Sequence, residues 1–245
     1  MTVDKNAFIS TLSGVFAKNS LSSLLSRERA ETLYTLTEHM LATNEQFNLT
    51  AITEPNRIIL SHYADCAAAA RVLPKGAKIL DIGCGAGFPT LPIAILRPDV
   101  SVFAIDSTAK KLNYVADTAR MLGLENVSAE VMRAEDGARR ADLRERFDIV
   151  TARAVSEMRI LAELALPYVK IGGTFLAMKG KNAQTELQAA KRAIAILGGK
   201  LEKTEEITLT DGVETLSHPL IYVKKVSKTP DTYPRAYAQI QKKPL

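Results

Sequence analysis

The sequence contains no tryptophan, two cysteines and three histidines, and only 6% of its 245 residues are aromatic. Cys66 and Cys84 lie far apart and fit no metal-ligand spacing, which argues against a disulfide framework and a zinc site. His39, His62 and His218 are scattered, so no metal centre is expected. No apolar run approaches the length of a membrane span, and the opening "MTVDKNAFISTLSG" lacks the apolar stretch of a secretory signal. A cytoplasmic, monomeric protein without a membrane partner is expected. What the chain does have is core material: 47% of its residues are hydrophobic, enough for one large α/β domain or a domain with an appendage.

Charge is unevenly placed. Residues 224 to 245 hold Lys224, Lys225, Lys228, Arg235, Lys242 and Lys243 against Asp231 alone, which equals the whole formal charge of +5. A basic terminus with Tyr233 and Tyr237 suits a phosphate backbone, because cations displace condensed counterions and rings stack on bases. A solvated tail, or one that packs on the fold through its Tyr-Pro-Arg segment, fits the same residues.

Apolar periodicity divides the chain. Leu33, Leu36, Met40 and Phe47 recur at helical spacing, predicting an amphipathic helix from Arg27 to Phe47. A second helix is predicted after Thr53 as N-cap, with Pro55 in its first turn. From there on, short β-rich runs ("KILDIG", "SVFAID", "VSAEVM", "FDIVTA", "GTFLAMK") alternate with helical segments, which argues for a parallel sheet covered on both faces. "GKLEKTEEITL", a turn at Asp211-Gly212 and "LSHPLIYVKKV" read as a closing β-hairpin.

The stretch "KILDIGCGAGFPTLPIAI", residues 78 to 95, carries the chemistry. A strand ending at Ile82, glycines at 83, 85 and 87, and Pro89 at a helix start describe the strand-to-helix turn where open α/β sheets bind nucleotides. Without a Cβ the loop takes positive φ and lets a ligand approach its main chain. The third glycine comes one position too early for the dinucleotide fingerprint, whose place is filled by Phe88. The spacing suits S-adenosylmethionine (SAM) loops instead. Asp106 ends the next strand, where its carboxylate can accept from ribose hydroxyls or cap the helix that follows. Ala134 and Glu135 follow the third strand, a small residue and an acceptor placed to flank an adenine.

"DIGCGAGFP", together with "NLTAI" at 48 to 52, "HYADC" at 62 to 66, "RAED" at 133 to 136, "FDIVTARAV" at 147 to 155 and "GGTFLAMKG" at 172 to 180, resembles the bacterial small-subunit (16S) ribosomal RNA guanine-N7 methyltransferases, the glucose-inhibited division protein B family. The resemblance covers most of the chain. It implies an α/β SAM-dependent methyltransferase (Rossmann-like) fold: a mostly parallel seven-stranded sheet ending in an antiparallel hairpin, with an N-terminal helical cap. The expected division is a cap at 1–75, a SAM-binding core at 76–227 and a basic tail at 228–245, in one compact unit. It also implies SAM contacts from Gly83, Phe88, Ala134, Glu135 and Arg153; Gly85 and Asp106 join them from the loop and strand-end reading. Small-subunit ribosomal RNA, or the assembling subunit, is the implied partner, and S-adenosylhomocysteine (SAH) the implied product. The tail resembles the family's closing pattern, with Ala238 and Ile240 where glycine and proline are usual; Cys84 and Thr90 replace the more usual serine or threonine and glycine.

Guanine N7 offers an in-plane lone pair, so a catalyst for its methylation needs positioning rather than a general base. The absence of an Asn/Asp-Pro-Pro-aromatic loop after the fourth strand argues against exocyclic amines, and the placement of the cysteines argues against pyrimidine C5. Arg153 follows that strand, where it can pair with the methionine carboxylate, an RNA phosphate or guanine O6. Lys179 and Lys181 are read as a phosphate-binding rim, and His62 with Asp65 as a structural hydrogen-bonded pair. Another RNA, a protein or a small molecule as acceptor, or a non-catalytic RNA-binding protein with a SAM-like pocket, fit the same residues.

Overall fold

The computed structural model describes residues 3–245. Four helical pieces come first. Helix α1 (Lys5–Lys18) starts where Asp4 accepts from Ala7 N at 2.7 Å, and it buries Phe8, Leu12, Val15 and Phe16, a stripe at i, i+4, i+7 and i+8. Helix α2 (Arg27–Asn44) is capped by Ser26 and buries Ala30, Leu33, Leu36 and Met40 on one side. It ends before the predicted Phe47, because Asn44 Oδ1 turns back to accept from Leu49 N and Thr50 N at 2.7 and 3.0 Å. Phe47 instead sits beneath the Lys110 ammonium, 4.1 Å from the ring centre.

Helix α3 (Pro55–Ile58) is capped by Glu54, whose carboxylate accepts from Asn56 N and Arg57 N, rather than by the predicted Thr53. It runs through a π-helical turn, Ile59–Ala64, into α4 (Asp65–Arg71). Such widened turns leave carbonyl groups open to outside donors and recur at functional sites.

The sheet has seven strands in the order β3-β2-β1-β4-β5-β7-β6. Strands β1 (Lys78–Ile82), β2 (Ser101–Asp106), β3 (Val127–Val131), β4 (Phe147–Arg153) and β5 (Val169–Met178) pair in parallel. Helices α5 (Thr90–Leu96), α6 (Ala109–Met121), α7 (Ala134–Gly137), α8 (Met158–Ala165) and α9 (Ala183–Ile196) occupy the connections. The inner strands read as near-continuous apolar runs because both faces are covered. The strand order reverses between β1 and β4, which opens a crevice at their carboxyl ends.

Strands β6 (Gly199–Thr210) and β7 (Thr215–Lys225) form the antiparallel hairpin, β7 against β5 and β6 at the edge. Exposed Lys200, Glu202 and Lys203 charge that edge against further pairing. The hairpin tip reaches the first helix: Asn19 exchanges side-chain hydrogen bonds with the Thr210 backbone at 2.8 and 2.9 Å, and Lys18 donates to the Asp211 carbonyl. That clamp lays β7 across the helical cap.

The last residues are a strap. Lys225 is wholly buried, its ammonium donating to Leu166 O and Thr229 Oγ1 and lying 3.1 Å from Glu145. Arg144 donates to the carbonyls of Thr229 and Tyr233, and Arg139 to that of Pro234. Arg235 makes a two-pronged ion pair, at 2.9 and 2.6 Å, with Glu163, which is completely buried. Helix α10 (Tyr237–Lys242) then drops Ile240 into a small cluster with Ile160 and Leu164. Two of the six cations of this segment are thereby committed inside the fold, while Lys228, Lys242 and Lys243 stay exposed.

Candidate active site and cofactor cleft

The loop after β1 owes its shape to three glycines in the left-handed region, Gly83, Gly85 and Gly87, with φ of 68°, 55° and 87°. The amides of Gly83 and Cys84 donate to Ile105 O, which ties the loop to β2. A Cβ on Gly87 would fall 2.6 Å from Leu91, so this glycine lets α5 close on the loop. Gly85 is different. A Cβ there would meet nothing closer than the Gly83 carbonyl oxygen at 3.9 Å, because the residue faces an open cleft.

That cleft has a volume of about 790 Å³, within the range of small-molecule sites, and lies at the β1/β4 reversal. Gly83, Gly85, Phe88, Asp106, Ala134, Glu135 and Arg153 all line it. Asp106 Oδ2 accepts from Gly85 N at 3.0 Å and Oδ1 from Thr108 N at 2.8 Å, so one carboxylate fixes the loop and the start of α6. Each oxygen keeps a further lone pair for a ligand hydroxyl. The other end of the cleft is walled by Ala134, Leu164 and Tyr237, which gives it an apolar lining. A bare backbone, a carboxylate beside it and an apolar recess fit a nucleoside with a short polar extension, as SAM is.

Behind Gly83, Asp81 is buried, and burial pushes its carboxyl up to about 6. Its Oδ2 accepts from the Thr90 hydroxyl at 2.6 Å. The threonine that stands where glycine is usual thus supplies the partner of a buried acid.

Another part of the cleft lining is a polar cluster contributed by the π-helical turn, α4, β4 and β7. Arg153, at the end of β4, donates through Nη1 to Ser61 O at 3.2 Å and Asp65 Oδ2 at 3.1 Å, and its Nη2 lies 3.3 Å from His62 Nδ1. Its guanidinium also lies over the Phe88 ring at 5.4 Å. Arginine has five N–H donors, so two remain for a ligand. His62 Nδ1 lies 3.2 Å from the Ser61 carbonyl as well as beside Arg153, and Nε2 lies 3.3 Å from Thr50 Oγ1, so both ring nitrogens are engaged. Burial, helped by the Arg153 charge, pulls the His62 pKa down to about 4 and keeps the ring neutral where it stacks on Phe88 at 4.2 Å.

Asp65 does not pair with His62. Its Oδ1 lies 2.6 Å from Nε2 of His218, a β7 residue, and its Oδ2 takes Arg153. Burial works to raise the Asp65 pKa, but His218 and Arg153 outweigh it and hold the carboxyl below the usual range. For His218 the balance is the mirror image: burial lowers its pKa, and Asp65 more than restores it, so it stays protonated to higher pH than a free imidazole. Lys179 is not part of an open rim either, because its ammonium is turned inward onto Glu186 and the Ser156 carbonyl, both at 2.7 Å. Lys181 remains exposed.

Sequence reasoning missed Asp81 and His218, and it read Tyr237 as a ring for RNA bases rather than as part of this cleft. Asp81 carried a visible signal, an acid inside an otherwise apolar strand. His218 and Tyr237 arrive from distant segments, and no local signal places them here.

A family model for rRNA small subunit methyltransferase G matches residues 29–212. The chain is 47% identical over 204 residues to the ribosomal RNA small subunit methyltransferase G of Clostridium perfringens, which covers 82% of this chain and 84% of that protein. It is 43% identical over 225 residues to the protein of that name from Lactobacillus delbrueckii subsp. bulgaricus, covering 90% and 93% of the two chains. Among solved structures, a SAM-dependent methyltransferase from Aquifex aeolicus aligns with a TM-score of 0.53 at 18% identity, over 76% of this chain and 98% of that one, a likeness of fold.

Proposed function

This chain belongs to the rRNA small subunit methyltransferase G family, and from that premise we propose that it transfers the methyl group of SAM to N7 of a guanine in small-subunit ribosomal RNA. The observation that carries the reading is the cleft itself: three positive-φ glycines, an acid hydrogen-bonded to the middle one, and a polar cluster with no free base. SAM supplies an electrophilic methyl group. The backbone at Gly83 and Gly85 admits it, Asp106 accepts from its ribose, and Ala134 with Glu135 borders its base. Phe88 forms the floor below His62.

The acceptor side follows from what the cluster can and cannot do. Both ring nitrogens of His62 are engaged, and both Asp65 oxygens face cations. None is available to remove a proton, which suits an acceptor atom that attacks through a lone pair it already has. The two free N–H groups of Arg153 are placed to meet guanine O6 or the methionine carboxylate, fixing the acceptor by orientation. Exposed Arg133 and Lys181 beside the cleft, with the exposed lysines of the strap, give the RNA phosphates their cations. No helix among the described residues is long and apolar enough to cross a membrane. From ribosomal RNA as the acceptor we infer that the protein acts in the cytoplasm.

The test is methyl transfer from labelled SAM to small-subunit particles and to naked small-subunit RNA prepared from a strain lacking this gene, with the product probed by N7-specific strand cleavage. Incorporation without N7 cleavage would move the acceptor atom; SAM binding with no incorporation on any RNA would leave a binding protein.

A further inference from the structure

The C-terminal strap enters the cleft. Tyr237, the first residue of α10, lines it beside Ala134 and Leu164. The ring is half-buried against the cluster of Ile160, Leu164 and Ile240, and the Arg133 guanidinium lies 5.8 Å from its centre. Two anchors hold it there, the fully buried Ile240 three residues on and the Arg235–Glu163 ion pair two residues before. Its hydroxyl has no hydrogen-bond partner among the described residues, so within the protein this residue is held by the packing of its ring.

We propose that Tyr237 is a cofactor-binding residue whose ring packs against the adenine of SAM, making the strap a wall of the cofactor site. The inference rests on the reading of the cleft as the SAM site with Asp106 at the ribose. A ribose held at Asp106 leaves its base to the apolar recess by Ala134, and Tyr237 is the aromatic surface that closes that recess. Every nucleobase has a flat π-face that an aromatic ring can cover. The strap therefore links cofactor binding to the docking of the chain's last residues.

The sequence has no tryptophan, so Tyr237→Trp places a single reporter in the cleft. Titration of this variant with SAH should change its emission saturably, and methionine alone should leave it unchanged. By calorimetry, Tyr237→Ala should weaken SAH binding about five- to tenfold while Tyr237→Phe stays within about twofold, as expected for stacking without a hydroxyl contact. Melting temperatures of the three variants report whether the strap remains docked. SAH affinity in folded Tyr237→Ala equal to that of the unmodified protein, or tryptophan emission indifferent to saturating SAH, overturns the role of Tyr237 and leaves the SAM site standing. An unmodified protein that binds neither SAM nor SAH overturns both readings.

Discussion

The glycine loop and the C-terminal strap reach the same cleft by different physics. The loop is shaped by backbone: its three glycines adopt φ values that other residues resist, and its amides are tied to β2. The strap is held by side chains, among them Arg235 on Glu163, Arg144 on three carbonyls, and Ile240 in an apolar slot. A backbone device leaves its mark on residue types within a few positions. A side-chain device is distributed over partners about 70 to 100 positions away in the chain, and its meaning appears only when those partners are known.

The sharpest break in that comparison is Gly85→Val. A left-handed φ strains a β-branched residue by about 1–2 kcal/mol, and the open space around Gly85 otherwise accepts the side chain. The protein should stay folded, melting within about 8 °C of its parent, while SAM affinity falls more than about a hundredfold, because the new methyl groups stand in the cleft. Calorimetry on the folded variant checks this; retained affinity would move the cofactor away from the loop.

For the strap, the matching break is Arg235→Ala. It leaves the Glu163 carboxylate buried without its partner, which costs about 3 kcal/mol or roughly 6–12 °C in melting temperature for a chain of this size. Here stability and SAM affinity should fall together, since Tyr237 loses its upstream anchor. Combining Arg235→Ala with Glu163→Leu should recover much of the melting temperature and little of the affinity. A variant that melts early yet binds SAM normally would uncouple strap from cleft.

The same contrast sets how far the sequence could be read. The five parallel strands, the hairpin, the glycine turn and Asp106 at a strand end were legible, because each depends on local period or on a residue type needed where it stands. Arg153 was legible as a site residue but not in its partners, since Ser61, His62 and Asp65 come from the π-helical turn and the start of α4 some 90 positions earlier. Lys179 looked like a surface cation until Glu186 was seen to turn it inward. The tail's charge suggested an RNA-facing end, with a solvated tail or one packed on the fold fitting the same residues. Burial of Lys225, Thr229, Pro234 and Ile240 makes it part of the fold, and Tyr237 makes it part of the pocket.

Asp106 sharpens the comparison inside the loop. Asp106→Ala removes an acceptor from Gly85 N and Thr108 N as well as from a ribose, so SAM affinity should drop by about ten- to a hundredfold. Asp106→Asn, which keeps one acceptor oxygen, should lose less. SAM affinity unchanged in both folded variants would mean that the carboxylate serves the loop and not the ribose.

The smallest expected effect distinguishes the two histidines on either side of Arg153 and Asp65. His62 has its pKa lowered from 6.5 to about 4, so between those values the folded protein binds fewer protons than the unfolded chain. Acidification through that window therefore removes stability, by about 1 kcal/mol between pH 6.5 and 5.5, or roughly two to four degrees. His218 runs the other way. Its pKa is raised, so its ion pair with Asp65 contributes fully below pH 6.5 and is lost as pH rises through the folded value. Melting curves from pH 5 to 8 should show His62→Gln flattening the acid limb and His218→Gln flattening the alkaline one. Limbs that keep their slopes in both variants would assign the pH dependence to other groups and reduce the cluster to packing around Phe88.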